Sequence, residues 1–326
     1  MKEHNEPESP DLAHEDFDAL DERARVGWYY FIAGLTQKEI AERLDITRLK
    51  VNRVIGQMRS DGLVKIELDM PLISCRRLAE QVADAYGLKD VVVVPDVENY
   101  LLQKRLIGEA AGTMVTPLIK GHDLGIGIGS GRTLSFVVRG LSARPSEGSW
   151  VVGLIGGITR ATGSNSFDVA TKMAQKLGVE CHYLTAPIFC ASAAARDALL
   201  LIDELTDVLA RTEIADVALV SCGSVDEASS LTQVRVIKDH LVDIIAAGAV
   251  GEILGCYIDA EGRPVDHFIN ETIIALPPDK LKLKPCPILV SGGMRKFAAI
   301  RAILRGGYVN RLATNEEVAR ALLERR

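Results

Sequence analysis

The sequence predicts an α/β protein in which an N-terminal helix-turn-helix domain precedes a larger, Rossmann-like domain with a mostly parallel sheet. Two capped amphipathic helices lie close together within the first 60 residues. From Val91 onward, short and almost continuous apolar segments alternate with helical spans. Strands that are buried on both faces and separated by helices pair in parallel through right-handed crossovers. At 326 residues the chain exceeds the usual domain of about 100–150 residues, so two domains are expected.

Charge is distributed unevenly along the chain. The net charge is −6, yet residues 22–66 hold nine Lys/Arg and five Asp/Glu, a net of +4. Residues 1–21 hold one Lys and eight acids, and we expect residues 1–17 to form a disordered acidic tail. A phosphate backbone responds to local charge, so the negative total excludes a generally basic binder but allows one basic domain to contact DNA.

Two helices with clear start signals form the predicted helix-turn-helix at residues 35–68. Thr36 followed by Glu39 has the spacing of a capping box. Thr47 is a good N-cap for the second helix, and the tight connection Asp45–Thr47 separates the two. Two caps, two apolar stripes and this turn favour a helix-turn-helix over the alternative, a chance pair of solvated amphipathic helices.

The second helix carries most of the residues that we expect to contact DNA. Its core face has the spacing i, i+3, i+4, i+7 and consists of Val51, Val54, Ile55 and Met58. On the outward side, Asn52 and Arg53 suit base edges, whereas Arg48 and Lys50 suit phosphates. The full predicted set is Thr36, Gln37, Thr47, Arg48, Leu49, Lys50, Asn52 and Arg53.

Domain boundaries follow from the same patterns. The winged helix-turn-helix domain is expected at residues 18–69, with a first helix at Leu20–Ala33 and a short strand at Leu63–Leu68 as its wing. Residues 70–88 are predicted to be a connector helix, with the first helix of the next domain as the alternative. Residues 89–326 form the predicted second domain.

The second domain is expected to contain at least seven buried strands. These are Val91–Val94, Leu124–Ile128, Trp150–Ile155, His182–Ala186, Asp216–Ser221, Gly255–Ile258 and Pro287–Val290. The turn at residues 259–262, Asp-Ala-Glu-Gly, predicts a hairpin between Gly255–Ile258 and Val265–Ile269.

The first candidate ligand site follows the strand at Leu124–Ile128, where a glycine turn leads into a helix. In an open parallel sheet, ligands bind outside the carboxyl ends of strands, and a helix N-terminus attracts anions. The residues of this turn are Gly129, Ser130, Gly131, Arg132 and Thr133. Arg132 stands where a dinucleotide fingerprint needs glycine, and no Gly-Lys-Ser/Thr of a P-loop follows. The alternative is a packing turn without a ligand.

Two further strand ends also finish in glycine. The second set is Gly156, Gly157, Arg160, Asn165 and Asp168, for which the alternative is a loop closed by a helix cap. The third set is Gly292, Gly293 and Lys296, for which the alternative is an exposed surface lysine. Asp259 is a candidate acceptor for sugar hydroxyls, although an acid in this turn also favours turn formation itself. Together these sets predict a site for a phosphorylated or polyhydroxylated metabolite.

Catalytic and metal sites are not predicted. The six His residues show no nucleophile or metal spacing, and the six Cys residues form no C-x-x-C pair, so buried, reduced thiols are expected. No cofactor is expected either. The chain shows no signal peptide and no apolar span of about 18 residues, which predicts a cytoplasmic protein without membrane contact.

Five segments together resemble the SorC family of sugar-responsive bacterial transcriptional regulators. They are AGLTQKEIAERLDITRLKVNRVI (33–55), GIGSGRTL (127–134), GGITR (156–160), GAVGEILGCYIDAEGRPV (248–265) and SGGMRKFAAIRAILRGGYVNRLATNEEVARALL (291–323). The resemblance covers about residues 23–323. Ser130 departs from the family pattern, because many members carry a larger residue at this position. The chain looks most like the branch of the family that responds to sugar alcohols such as erythritol, and the segments that show this are GLTQKEIAERL, GRTL and AIRAILRGG.

The resemblance implies that residues 89–326 form a sugar-binding effector and oligomerisation domain similar to sugar-phosphate isomerases. It also implies that the matched positions line the pocket, namely Ser130 to Thr133, Gly156, Gly157, Asn165, Asp168, Asp259, Gly292, Gly293 and Lys296. The expected partners are operator DNA and a sugar, polyol or sugar phosphate. A homodimer or homotetramer is expected, because two recognition helices fit adjacent major grooves.

Three functions remain to be compared. The leading hypothesis is a regulator whose operator binding responds to the effector, which would place the protein on the nucleoid. The second is a sugar-phosphate isomerase fused to a DNA-binding module, which needs an acid/base pair that the sequence does not show. The third is a structural DNA-binding protein without an effector.

Overall fold

The computed structural model describes residues 11–64, 73–158, 165–227 and 229–325, with side chains from residue 20 onward. The chain divides into two compact units, residues 1–71 and residues 72–326. Each unit is described by itself below. Across the described helices, none has the length and apolar character needed to cross a membrane.

The first unit contains a three-helix core. Its helices are α1 (Asp11–Phe31), α2 (Gln37–Leu44) and α3 (Arg48–Ser60). The buried side chains between them are Val26, Ile40, Val51, Val54, Ile55 and Met58, so the predicted core face of α3 is confirmed. A Cβ at Gly27 would overlap Met58, and the glycine therefore lets α1 lie close to α3.

The start of α1 differs from the prediction. The helix begins at Asp11 instead of Leu20, and residues 1–10, the first part of the predicted disordered tail, lie outside the described residues. Of the predicted wing, Leu63 and Val64 form no strand, and residues 65–68 are not described.

The second unit contains ten helices and ten strands within its described residues. The helices are α4 (Ile73–Tyr86), α5 (Tyr100–Ile119), α6 (Arg132–Gly140), α7 (Ser166–Leu177), α8 (Ala193–Leu199), α9 (Asp203–Ile214), α10 (Arg235–Ala246), α11 (Pro278–Lys282), α12 (Phe297–Arg305) and α13 (Glu316–Glu324). The strands are β1 (Asp90–Val94), β2 (Gly125–Ile128), β3 (Trp150–Gly153), β4 (Glu180–His182), β5 (Val217–Val220), β6 (Cys222–Gly223), β7 (Gly251–Ile253), β8 (Cys256–Ile258), β9 (Cys286–Val290) and β10 (Arg311–Asn315).

A seven-stranded parallel sheet forms the centre of this unit, in the order β1-β10-β9-β5-β2-β3-β4. Two apolar clusters cover its faces, and strands β2, β5 and β9 are buried throughout. A second, three-stranded antiparallel sheet has the order β6-β7-β8. The predicted mixed α/β class with a mostly parallel sheet is confirmed.

Helix α4 belongs to the second unit. Its residues Cys75, Leu78 and Val82 are buried in the same cluster as Val91 of β1 and Leu322 of α13. The hydroxyl of Tyr86 donates a hydrogen bond of 3.1 Å to the carbonyl of Leu322. Of the two interpretations of residues 70–88, the first helix of the second domain therefore describes the observed packing.

Several strands depart from the predicted bounds. Strand β4 ends at His182, where the predicted strand began, because Cys181 and His182 pair with β3 and the chain then leaves the sheet. Strand β10 was not predicted, since its last two residues, Thr314 and Asn315, are polar although both are buried. Strands β6 and β7 were too short for their patterns to indicate them.

The predicted hairpin is confirmed next to its turn and not at its far end. The N–H of Asp259 donates to the carbonyl of Arg263 at 2.8 Å, the N–H of Val265 donates to the carbonyl of Tyr257 at 3.0 Å, and Ile258 forms an antiparallel bridge with Pro264. The end of the predicted strand Val265–Ile269 lies in a 3-10 turn at Phe268–Glu271 instead. On its other side, β8 pairs with β7, which precedes it, across a turn at Leu254 and Gly255 that both have positive φ.

Helices α5 and α6 pack closely through glycines. A Cβ at Gly112 would overlap the carbonyl of Val137 and the backbone of Gly140, and a Cβ at Gly108 would lie 2.5 Å from the carbonyl of Thr133. Both obstacles are backbone atoms, which cannot rotate aside. The two helices therefore touch backbone to backbone, and this contact sets the position of the α6 N-terminus.

Replacing Gly112 by Ala should separate the two helices and lower the free energy of unfolding by about 1–3 kcal/mol, the range for overpacking a tight contact. Urea denaturation of the full chain measures this. The control is Thr113→Ala, an exposed position one residue away on α5, which should change stability by less than about 0.5 kcal/mol. Equal stabilities for the two variants would contradict the inferred contact.

Candidate functional site

A cavity of about 330 Å³ opens at the carboxyl edge of the parallel sheet. It lies beside β2 and β5, the neighbouring strands from which the chain continues in opposite directions along the sheet. Ligands of open α/β sheets bind at such a switch point. The wall consists of Tyr100, Lys104, Gly129, Ser130, Gly131, Arg132, Thr133, Ile155, Ile158, Ser221, Cys222, Gly223, Ser224, Ser229, Ser230, Leu231, Glu252, Leu254, Gly255, Arg295 and Lys296.

The β2–α6 turn forms one side of the cavity, and all five residues predicted from its glycine pattern line the wall. The backbone N–H of Gly129 donates to the carbonyl of Leu219, at 2.9 Å, which ties the turn to β5. Gly131 has φ +117°, a conformation that other residues rarely adopt, and no side chain caps α6 there. The N-terminus of α6 therefore faces the cavity with its partial positive charge.

Four cationic side chains line the wall: Lys104, Arg132, Arg295 and Lys296. Burial lowers the pKa of Lys104, and the nearby charges of Lys296 and Arg132 lower it further, although Tyr100 opposes this. The Lys104 Nζ lies 4.0 Å from the centre of the Tyr100 ring. A half-buried cation beside other cations favours an anionic ligand, which would stabilise its charged form.

Lys296 and Arg295 follow β9, as the third glycine pattern predicted for Lys296. The Lys296 Nζ donates to the carbonyl of Cys222 at 2.5 Å, so the ammonium reaches across to the β5–β6 segment. Arg295 pairs with Asp226, and the hydroxyl of Ser224 donates to the same carboxylate at 2.7 Å. These bonds tie both cations to residues 222–226, which follow β5.

The carboxylate of the described wall is Glu252, on β7, which is 7% exposed. Its Oε2 accepts a hydrogen bond from the N–H of Gly255 at 2.9 Å. Burial raises the pKa of Glu252, although the N–H groups of Gly255 and Gly223 and the charge of Lys296 oppose the rise. A Cβ at Gly223 would overlap the carboxylate, so only glycine leaves room for it.

The second glycine set has another role in the described structure. A Cβ at Gly156 would lie 2.6 Å from the carbonyl of Ala186, and one at Gly157 would lie 2.8 Å from the Phe167 ring. Asn165 donates to the carbonyl of Ile158, at 3.4 Å, and precedes α7. Asn165 stands at the N-cap of α7 without a side-chain cap hydrogen bond, residues 159–164 lie outside the described residues, and Gly156, Gly157 and Asn165 are not in the described wall. Asp168 is exposed on α7 and also lies off this wall, and Arg160 falls outside the described residues.

Asp259, Gly292 and Gly293 also lie outside the cavity wall. Asp259 Oδ1 accepts from the N–H of Arg263 at 2.8 Å and from that of Glu261 at 3.0 Å, so this carboxylate stabilises its own turn. The N–H of Gly293 donates to Asn315 Oδ1 at 2.9 Å, and a Cβ at Gly292 would overlap the same oxygen. A ligand role for these three residues has no support from the geometry.

Sequence patterns missed the far wall of the cavity. The described far wall includes Tyr100 and Lys104 from the first two turns of α5, Ser224 from the segment after β6, and Glu252 from β7, none of which was predicted. The sequence did contain one indication of this wall, because Glu252 is an acidic residue within the otherwise apolar stretch at residues 249–258. An acid inside such a segment is seldom buried without a partner.

The first unit presents the predicted helix-turn-helix. Thr36 and Glu39 form both bonds of a capping box, and Thr47 Oγ1 accepts from the N–H of Lys50 at 3.2 Å, so both predicted caps are confirmed. Asp45 has φ +52° in the connection between α2 and α3. These caps fix the start of each helix.

The outward side of α3 is exposed at Arg48, Leu49, Asn52 and Arg53, and Leu49 is 79% exposed. Gln37 Nε2 donates to Asn52 Oδ1 at 3.3 Å, which links α2 to α3 on this side. Lys50 differs from the others, because its Nζ lies 2.7 Å from Glu22 Oε1 on α1. It is therefore partly engaged within the unit.

Comparison with known proteins places both units in described families. Residues 70–324 match the family model of a sugar-binding domain, and residues 33–65 match that of a winged helix-turn-helix DNA-binding domain. The erythritol catabolism regulatory protein EryD of Brucella abortus is 33% identical over 310 residues, which cover 94% of this chain and 98% of that protein. The transcriptional regulator LsrR of Escherichia coli K12 is 31% identical over 305 residues, which cover 92% and 93%.

Solved structures show the same organisation. The full-length sorbitol operon regulator SorC from Klebsiella pneumoniae superposes with a TM-score of 0.69 at 26% identity, covering 94% of this chain and 99% of that chain. A probable sor operon regulator from Shigella flexneri superposes with a TM-score of 0.70 at 26% identity, covering 76% and 99%.

Glu252 makes stability depend on pH in a defined direction. Its pKa is raised in the folded protein from the ordinary value of 4.5, so its contribution to stability is fully present below pH 4.5 and is lost as the pH rises through the folded pKa. The thermal midpoint of the wild type should therefore fall relative to that of Glu252→Gln as the pH rises from 4.5 to about 8. A difference between the two proteins that does not change with pH would contradict a pKa of Glu252 that burial raises.

Proposed function

Because the chain belongs to the SorC family of sugar-binding transcriptional regulators, we propose that a phosphorylated sugar or sugar alcohol is its effector and binds the cavity of the second unit. The chain is a DNA-binding regulator whose operator binding is controlled by a sugar-type effector, and its relatives are regulators and not enzymes. Its partners are operator DNA and a small molecule.

The observation that carries the proposal is the charge of the cavity. Four cations and the carboxylate of Glu252 line the described wall of a cavity of about 330 Å³, Arg295 also pairs with Asp226, and the N-terminus of α6, which has no side-chain cap, adds partial positive charge. The described wall therefore carries more positive than negative charge, which favours an anionic ligand over a neutral polyol. A phosphate would accept hydrogen bonds from the α6 backbone and from Arg132 and Lys104 together.

The other groups of the wall suit hydroxyls. Ser221, Ser224, Ser229 and Ser230 offer hydroxyl donors and acceptors, and Glu252 offers a carboxylate acceptor. Charge at one end and hydroxyl partners at the other match a short polyol phosphate. The volume is near the lower end for small-molecule sites, about 300–1,000 Å³, which favours a small sugar over an oligosaccharide.

A four-carbon polyol is the first candidate. EryD, which is named for erythritol catabolism, is 33% identical over nearly its whole length. Ser130 is small, so it leaves space beside the α6 N-terminus for the phosphate that we propose. We therefore propose erythritol phosphate as the first ligand to test, before other sugar phosphates.

We propose that α3 reads the operator through Asn52 and Arg53, with Arg48 on a phosphate. A single helix-turn-helix contacts one half-site, so the proposal includes an even-numbered homo-oligomer, a dimer or tetramer, bound to DNA in the cytoplasm. The effector would act by binding one arrangement of the oligomer more tightly than another, because a ligand with equal affinity for both does not change their relative populations.

Erythritol phosphate should raise the thermal midpoint of the protein saturably, and erythritol should do so only at much higher concentration. Lys104→Met should weaken binding of the phosphate by about 10-fold or more, since it removes a charged contact. Lys120→Met, at the exposed far end of α5, is the charge-matched control and should bind normally. Equal affinity for the phosphorylated and free polyols would contradict an anionic effector.

Arg53→Ala should lower affinity for the operator by about 10-fold or more, because a base contact of this kind is worth about 1–3 kcal/mol. Gel shifts with the DNA that the wild type selects from a random library measure it at fixed, physiological salt. Lys176→Ala makes the same charge change at an exposed site of the second unit and should bind DNA normally. If Arg53→Ala binds like this control, α3 does not use Arg53 to read the operator.

A further inference from the structure

Two histidines and an aspartate converge on the surface of the second unit, away from the residues that line the cavity. His240 and Asp243 lie three residues apart on α10, so both occupy one face of the helix. His267 precedes the 3-10 turn Phe268–Glu271. One ligand atom from each of the three side chains lies within 4.8 Å of the other two. We propose that His240, Asp243 and His267 form a binding site for a zinc ion.

The convergence is held by packing around the two imidazoles. The Phe268 ring centre lies 4.9 Å from that of His240 and 4.8 Å from that of His267, so one aromatic ring contacts both. The two imidazole centres are 6.1 Å apart. Phe268 thus keeps two residues that are 27 positions apart in the chain side by side.

The donor atoms suit zinc. Imidazole nitrogen and carboxylate oxygen bind Zn²⁺ at about 2.0–2.2 Å, and three protein ligands with one open position are common for this ion. Atoms 4.8 Å apart must move closer to share one ion. The exposed side chains allow it, because His240 and Asp243 retain 38% and 69% of their side-chain accessibility. The His240 Nδ1 already lies 3.6 Å from Asp243 Oδ2.

The existing hydrogen bonds oppose zinc only weakly. His267 Nδ1 accepts from the N–H of Ile269 at 3.3 Å, a long bond. Zinc would replace this bond if it bound Nδ1, and binding at Nε2 would move the ring proton to Nδ1 and remove the acceptor. In either case zinc binding breaks one weak hydrogen bond of His267 and forms three bonds between the ion and the side chains.

Negative charge around the cluster also favours a cation. Asp266 adjoins His267 and is exposed, and Asp239 lies on α10 beside His240, where it pairs with Arg235 at 3.6 Å.

A bound zinc ion would tie α10 to the segment that follows β8. Helix α10 follows the 3-10 turn Leu231–Gln233, and Leu231 lines the cavity, so the ion would stiffen one end of the cavity wall. This inference is independent of the proposed effector.

The test is titration of metal-free, full-length protein with Zn²⁺ in competition with a chelator, followed by thermal unfolding. We expect one equivalent per chain with a Kd below about 1 µM and a higher thermal midpoint. Asp243→Asn and His267→Ala should each weaken binding by about 10-fold or more. His122→Ala, an exposed histidine outside the cluster, should bind like the wild type.

Co²⁺ provides a second readout, because the six cysteines could also bind zinc. Cobalt on nitrogen and oxygen ligands lacks the near-ultraviolet charge-transfer band of thiolate ligands, so absence of this band supports the proposed site. Asp243→Asn changes only an exposed side chain, and its circular dichroism should match that of the wild type. A thiolate band, or zinc affinity that is unchanged in Asp243→Asn and His267→Ala, would overturn the proposal.

Discussion

The close contact between helices α5 and α6 is the constraint on which the cavity depends. Gly108 and Gly112 on α5 and Gly140 on α6 remove the Cβ atoms that would hold the helices apart. The contact brings the second turn of α5, with Lys104, beside the first turn of α6, with Arg132. Two positive side chains and a helix N-terminus thus meet because backbones, which cannot adjust by changing rotamer, lie in contact.

The surroundings of Lys104 and Glu252 favour the type of effector proposed above. Burial lowers the pKa of Lys104, and the nearby charges of Lys296 and Arg132 lower it further. Glu252 is buried on the opposite wall with its own pKa raised. A ligand that carries negative charge at one end and hydroxyls at the other relieves both conditions. The binding energy of such a ligand therefore depends on the cavity geometry and can favour one conformation of the protein over another.

In the first unit, capping and packing leave a defined set of side chains for DNA. The hydroxyls of Thr36 and Thr47 are used in caps, so they position helices. Lys50 is held by Glu22 at 2.7 Å, which reduces the charge it presents to phosphate. Asn52 is oriented by Gln37, and Arg53 lies beside it on the exposed face of α3. Preorganised side chains lose less conformational entropy when they bind.

Short sequence patterns were enough to predict the helix caps, the core face of α3, the mixed α/β class and the glycine turn at the α6 N-terminus. Each of these features depends on residues within a few positions of one another. The same signals misled where polar residues are buried through distant partners. Strand β10 ends in Asn315, whose amide donates to Asp96 Oδ1 at 2.6 Å and whose carbonyl accepts from Gly293. No pattern near residue 315 indicates either partner.

What only the tertiary structure decided is which strand ends share a cavity. All three glycine sets follow strands of one sheet, yet the segment after β3 contributes Ile155 and Ile158 to the described wall, and Gly156 and Gly157 pack against other parts of the unit. The order of strands depends on crossovers over tens of residues, so Glu252 and Lys104 meet Arg132 only once the sheet has formed. By itself the sequence determined that this chain joins a DNA-reading helix pair to a ligand-binding sheet. The tertiary structure decided which charged side chains line the cavity, because contacts between distant segments of the chain bring those side chains together.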